Sequence, residues 1–175
     1  ALGRPVAVGW GSLFAGAVVV WGGWSRWCVL VGLATTCALP QWAYMADHMN
    51  VRLRLASPTY LPSLEGAEPL WEVLRGAPAT TWSGVPDGLV EDATYQVVFT
   101  SGTTGRPKAS QVVHRASVHS GMSYQRVLGL RSEDVSAVQF PMYYISAMHA
   151  HVLPAMLSGA SLVLSDPQRP REYVE

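Results

Sequence analysis

The chain has 175 residues, 49% of them apolar and only 14% charged, and its 12 basic side chains balance 12 acidic ones. An average soluble domain carries about 25% charged residues, so this composition excludes intrinsic disorder, and the zero net charge argues against a broad nucleic-acid-binding face. The length predicts one domain able to bury a sizeable core.

Two cysteines, Cys28 and Cys37, cannot build a disulfide framework and lack zinc-ligand spacing, so they read as buried thiols in a reducing compartment. Between Ala1 and Ala46 the only charged side chains are Arg4 and Arg26, and five tryptophans (Trp10, Trp21, Trp24, Trp27 and Trp42) fall in the same stretch. Residues 13–39 are long enough to span a bilayer, which takes about 20 apolar residues. Arg26 sits at the centre of that window, however, where it would cost about 2.5–3.5 kcal/mol. Gly16, Gly22, Gly23 and Gly32 weaken a helix there further. A buried α/β segment is the favoured reading, and a membrane-associated protein is the alternative. Trp21, Trp24 and Trp27 have helical spacing and read as a core or interface stripe.

In chain order, a short strand is predicted at residues 6–8, followed by apolar segments broken at Gly22-Gly23 and Pro40. Residues 1–56 form one apolar α/β segment. Residues 57–93 are rich in proline and glycine and read as a connection rather than a packed element, interrupted by a short helix at 70–75. The β-branched and aromatic run 95–100 is a buried strand by type. It ends in a loop, residues 101–108, and a helix follows His114 with Val118, Met122, Val127 and Leu128 near one face and Gly129 as its stop. A strand at 135–140, a helix from 146 to 157 stopped by Gly159, and a strand at 161–164 complete the pattern. A last helix begins after Pro170. Alternating strands and helices predict an α/β fold with a partial, largely parallel sheet flanked by helices, residues 94–175 carrying the chemistry.

The loop is the strongest functional feature. Ser101, Thr103 and Thr104 alternate with Gly102 and Gly105 directly after a buried strand, and Lys108 closes the run. Small residues let backbone N–H groups approach an anion, hydroxyls add donors, and lysine supplies a mobile charge for a phosphate. The Walker pattern fails, because Pro107 stands where its second glycine belongs. The dinucleotide fingerprint fails too: after Gly9 and Gly11 its last glycine is replaced by Phe14.

The stretch from Thr100 to Lys108 (Thr-Ser-Gly-Thr-Thr-Gly-Arg-Pro-Lys) resembles the signature loop of the AMP-forming ligases, a superfamily that includes acyl-CoA synthetases, peptide-synthetase adenylation domains and luciferases. His114-Arg115 sits where that family places a histidine opening the next helix. Residues 140–148 resemble its aromatic second motif, 153–161 its Leu-Pro-x-Leu-x-x-Gly-Ala segment, and 15–20 its Ala-Gly-Ala turn. The resemblance is good from about Tyr95 to Glu175 and loose before that.

That resemblance implies the N-terminal domain fold of adenylate-forming enzymes and a carboxylate-activating reaction, acyl-AMP formation followed by transfer to coenzyme A. It implies ATP-binding roles for Thr100, Ser101, Gly102, Thr103, Thr104, Gly105 and Lys108, with Lys108 and Thr104 catalytic. Thr100 would also ligate Mg²⁺, and Tyr144, Ala147 and Met148 would line a pocket for an acyl chain, taken as fatty or otherwise apolar. Tyr144 departs from the family's histidine and Ala147 from its glycine, which puts any acid–base role at Tyr144 in doubt. His149 and His151, two apart on a predicted helix, face different sides and cannot share a metal. The family's magnesium segment, ribose aspartate and C-terminal lysine would all lie beyond Glu175. The chain is therefore expected to be a fragment lacking the C-terminal domain and inactive alone. The expected location is cytoplasmic, with peripheral membrane attachment second and no nucleic-acid partner. The alternatives are a fragment that only binds nucleotide or a protein partner, and an adenylation domain of the peptide-synthetase branch.

Overall fold

The computed structural model describes residues 4–9, 28–33, 39–76, 88–100 and 106–164. Strand β1 (Arg4–Gly9) contains the predicted residues 6–8. It pairs in parallel with β2 (Cys28–Leu33) on one side and β3 (Leu53–Ala56) on the other. Helix α1 (Leu39–His48) joins β2 to β3. A two-residue strand β4 (Glu68–Pro69) extends the sheet beyond β3, and β5 (Thr94–Thr100) extends it beyond β2, both in parallel. Strand β6 (Lys108–Val113) then turns back antiparallel to β5, giving the order β4-β3-β1-β2-β5-β6. The sheet is thus largely parallel, as expected, with one antiparallel edge. Strands β7 (Val135–Val138) and β8 (Ser161–Leu164) pair in parallel as a second, two-stranded sheet rather than joining the first.

Strand β2 reads Cys-Val-Leu-Val-Gly-Leu because both of its faces are covered, the condition that makes interior strands of parallel sheets continuously apolar. Val29, Val31 and Leu33 pack with Trp42 and Met45 of α1, with Leu64, and with Val97 of β5. Leu30 turns the other way, into a cluster with Leu55, Leu70, Val138, Met142, Tyr143, Ala147, Met148 and Val152. Residues 28–33 of the window 13–39 are therefore a strand paired on both sides, not part of a helix. Among the described residues no helix is long and apolar enough to cross a membrane. Trp21, Trp24 and Trp27 lie outside the described residues.

The Pro/Gly-rich segment corrects the expectation of an unpacked connection. After β3 a 3₁₀ turn (Leu61–Ser63) leads through Leu64 and β4 into α2 (Leu70–Gly76), and both Leu64 and Leu70 are buried. Two of its prolines sit where the backbone N–H is not needed: Pro62 inside the short turn and Pro69 in the sheet's edge strand. Residues 77–87 lie outside the described residues.

Helix α3 (His114–Leu128) ends as predicted at Gly129, whose φ of 65° is the left-handed cap conformation. Its apolar face does not behave as the pattern suggested. Val118, Met122, Val127 and Leu128 are exposed, Val127 at 84%, while Ser117 and Gly121 are the buried positions. Small residues win there because α4 (Leu153–Ser158) crosses close by: a Cβ on Gly121 would stand 2.9 Å from Leu153 Cβ and 3.1 Å from Leu157 Cδ1. Gly121→Val is accordingly expected to lower stability by about 1–3 kcal/mol, read from denaturant unfolding. Gly76→Ala, whose Cβ meets no atom within 4 Å, should leave the midpoint unchanged or raised.

Candidate functional site

The phosphate-loop residues Ser101, Gly102, Thr103, Thr104 and Gly105 lie outside the described residues, but the frame that carries them is clear. Thr100 is the last residue of β5, Lys108 the first of β6, and the two are directly paired across the antiparallel ladder. Paired residues in such a ladder have Cα atoms about 4.5–5.5 Å apart, so the loop leaves and re-enters the sheet at one point. Both end residues are exposed. The hairpin therefore holds the Lys108 stem beside the start of the loop. The sequence alone showed only that lysine closed the run, and the antiparallel strand 108–113 was not foreseen. At the loop's exit the Arg106 guanidinium lies 5.9 Å from the centroid of the Tyr44 ring on α1, a cation–π distance.

The residues expected to line an acyl pocket separate by depth. Tyr144, 45% exposed, presents its ring to solvent against Tyr143, with centroids 4.6 Å apart. Ala147 and Met148 are fully buried in the cluster under Leu30 and Leu55. They begin a π-helical turn (Ala147–Val152) that continues into α4, where a plain helix was expected. π-turns often mark functional positions.

That turn sends its two histidines apart. His151 Nδ1 lies 3.4 Å from Ser136 Oγ, and its ring stands 5.9 Å from Phe140. His149 Nε2 lies 2.7 Å from Ser117 Oγ and 3.1 Å from Tyr95 OH, and those two hydroxyls are 2.5 Å apart. His114, the first residue of α3, packs against the Tyr95 ring at 5.1 Å. A register shift between Thr94 and Gln96 makes this network possible: the bulge re-aims Tyr95 out of the strand's alternation. Sequence reasoning missed the whole cluster. The available signal was two polar groups, Tyr95 OH and the Gln96 amide, in a strand otherwise built to be buried.

Burial pushes the Tyr95 phenol up to about 12, against a smaller lowering by the Ser117 hydrogen bond, so it stays protonated across the neutral range. Burial also lowers the pKa of His149, His114 and His151. The unfolded chain then takes up protons before the folded one as the pH drops, so the stability these histidines contribute is complete above their unfolded pKa of about 6.5 and is lost as the pH falls through it. Denaturation midpoints are expected to decline between about pH 7 and pH 5, and His149→Gln should flatten that decline. Among the described residues no group of three His, Cys, Asp or Glu side chains could hold a metal ion.

The family model described as AMP-binding enzyme matches residues 17–175. Crotonobetaine/carnitine–CoA ligase of Escherichia coli (strain SE11) is 28% identical over 149 residues, 85% of this chain and 28% of that protein. The chain thus spans under a third of the length of this curated relative. ATP-bound MatB from Rhodopseudomonas palustris superposes with a TM-score of 0.83 at 17% identity, over 95% of this chain and 36% of that one. The o-succinylbenzoate CoA synthetase MenE from Bacillus subtilis, in complex with its acyl-adenylate intermediate, gives 0.80 at 20% identity, over 94% and 44%. These two structures share the fold, which is that of the N-terminal region of adenylate-forming enzymes.

Proposed function

The chain belongs to the AMP-binding enzyme family, and from that membership we propose that it supplies the phosphate grip and one wall of the acid pocket of an ATP-dependent acid–thiol ligase. The observation that carries this reading is the Thr100–Lys108 pairing at the mouth of the β5–β6 hairpin, with a loop of hydroxyls and glycines held between. In the proposed reaction a carboxylate oxygen attacks the α-phosphorus of ATP, pyrophosphate leaves, and acyl-AMP forms. The thiol of coenzyme A then takes the acyl group and AMP departs.

The protein's part in such chemistry is to position the reactants and offset charge on phosphate oxygens. Thr100, Ser101, Thr103 and Thr104 donate from their hydroxyls, Gly102 and Gly105 bring the backbone N–H groups close, and Lys108 sets its ammonium against the β and γ phosphates. Magnesium, when bound, offsets phosphate charge. The Thr100 hydroxyl at the end of β5 would supply one of its oxygen ligands. Tyr144 forms the accessible pocket wall, backed by buried Ala147 and Met148, and this apolar backing favours a fatty or otherwise largely apolar acid. The cytoplasm, where ATP and reduced thiols are abundant, is the proposed place of action.

Calorimetric titration with ATP tests the reading. Lys108→Ala is expected to weaken ATP binding by about 10- to 100-fold, the usual worth of a charge-assisted contact. His151→Ala, turned toward Ser136 and Phe140, should leave it unchanged. Equal affinity of Lys108→Ala and the unaltered chain would overturn the phosphate role.

A further inference from the structure

Gln96 lies in the middle of β5 at 1% exposure, and neither its Oε1 nor its Nε2 has a hydrogen-bond partner among the described residues. Such groups are seldom left unmet in native proteins, so a buried amide with both ends unpaired points to an occupant. Its position says where that occupant sits. Gln96 pairs across the sheet with Leu30, and paired residues share a face. Leu30 belongs to the cluster of Met142, Ala147, Met148 and Val152 that underlies the segment carrying Tyr144. The next residue, Val97, goes to the α1 side.

Through the bulge, Tyr95 reaches that same layer and meets Ser117 and His149. Tyr95 and Ser117 are buried, whereas His149 is half-buried, so the polar cluster runs from the interior toward the accessible surface. We infer that Gln96, with Tyr95, Ser117 and His149, forms the distal end of the acid pocket and selects carboxylic acids bearing a neutral hydrogen-bonding group, a hydroxyl or carboxamide, on an otherwise apolar chain. The inference rests on the acid-pocket reading above.

The chemistry of the four side chains sets the substrate class. An amide both donates and accepts, and the group that satisfies it must do the same; a hydroxyl or a carboxamide does. Burial keeps the Tyr95 phenol protonated and disfavours a charged His149. No member of the cluster is a carboxylate, guanidinium or ammonium. A second carboxylate or a quaternary ammonium on the acid would lose its water here without meeting a counter-charge. The site therefore discriminates in both directions, against a plain alkyl end that leaves Gln96 unmet and against a charged one.

The experiment is calorimetric titration of the 175-residue chain, with ATP present, by straight-chain monocarboxylates of graded length, their terminal-hydroxyl counterparts and dicarboxylates of matching length. At one chain length the hydroxy acid is expected to bind about tenfold more tightly than either companion. Gln96→Leu, which replaces the amide by an apolar side chain of similar size, should erase that advantage with ATP affinity intact. If that variant fails to bind ATP, Ser117→Ala carries the test, with the advantage expected to shrink. Equal binding of hydroxy and plain acids, or a hydroxy preference that survives in the variants, overturns the inference, leaves the acid pocket standing and assigns the amide to buried water. Binding of ATP with no acid of any length overturns the pocket reading and this inference with it.

Discussion

Trp42→Ala is expected to cost about 3–5 kcal/mol, the usual range for truncating a buried tryptophan. The residue is 1% exposed on α1 and packs on Val29, Val31 and Leu33 of β2, with Leu64 and Val97 beside it. Its ring also meets Tyr60 edge-on, at 5.5 Å and 61°. One side chain thus fastens α1, the segment after β3 and two strands of the sheet together. Against a total stability of about 5–15 kcal/mol for an ordinary domain, a loss of this size removes a large fraction of the folded population's margin. Urea unfolding followed by tryptophan-independent far-ultraviolet dichroism would measure it. An exposed control, Arg52→Ala, should move the midpoint within about 0.5 kcal/mol. A Trp42→Ala loss as small as that control's would show that α1 is not anchored where its contacts place it.

What was legible in the sequence follows from how local the determining physics is. Strand 161–164 and the stops at Gly129 and Gly159 were read correctly because each depends on a few residues: a short apolar run between a glycine stop and a proline, or a glycine free to take the φ of 65° and 75° found there. Strand β2 was not separable, because an apolar run inside a longer apolar stretch has no period to distinguish strand from buried helix. The exposed face of α3 was misread for a related reason. Helical spacing tells which residues share a face, but Gly121 is buried because Leu153 and Leu157 of a later helix close over it, and Ser117 because it meets Tyr95 and His149.

The site divides in the same way. The phosphate proposal for the loop rests on composition, since hydroxyls, glycines and a lysine in that order suit an anion whatever surrounds them. That Lys108 sits directly across from Thr100 required knowing that 108–113 returns antiparallel, which is a tertiary fact about the edge of the sheet. The Tyr95–Ser117–His149 network joins three elements and turns on a one-residue register shift, and nothing in a linear sequence marks a bulge there. Only the Tyr95 hydroxyl and the Gln96 amide left a trace, as polar groups in a run otherwise made of Val, Val and Phe.

The junction between the sheet and the Tyr144 segment is where packing and the proposed pocket are linked most tightly, and Gly32→Val probes it. A Cβ on Gly32 would stand 3.2 Å from Tyr143 Cβ and 3.3 Å from Tyr143 Cα. Replacing glycine in a strand gains about 0.5–1 kcal/mol of backbone entropy, but overpacking costs about 1–3 kcal/mol, so the net effect is destabilising. The neighbour cannot swing away, because one of the two atoms is backbone. Tyr143→Ala therefore gives no relief, since it keeps both atoms. Tyr143→Gly removes the Cβ, and in a double-mutant cycle it should cost less beside Gly32→Val than alone. Displacement of Tyr143 carries Tyr144 with it through their 4.6 Å ring contact, so acid binding should weaken in Gly32→Val while ATP, whose proposed grip is at the β5–β6 hairpin, binds as before. Loss of ATP and acid binding together in a folded Gly32→Val chain would show that the two halves of the site are not separately supported.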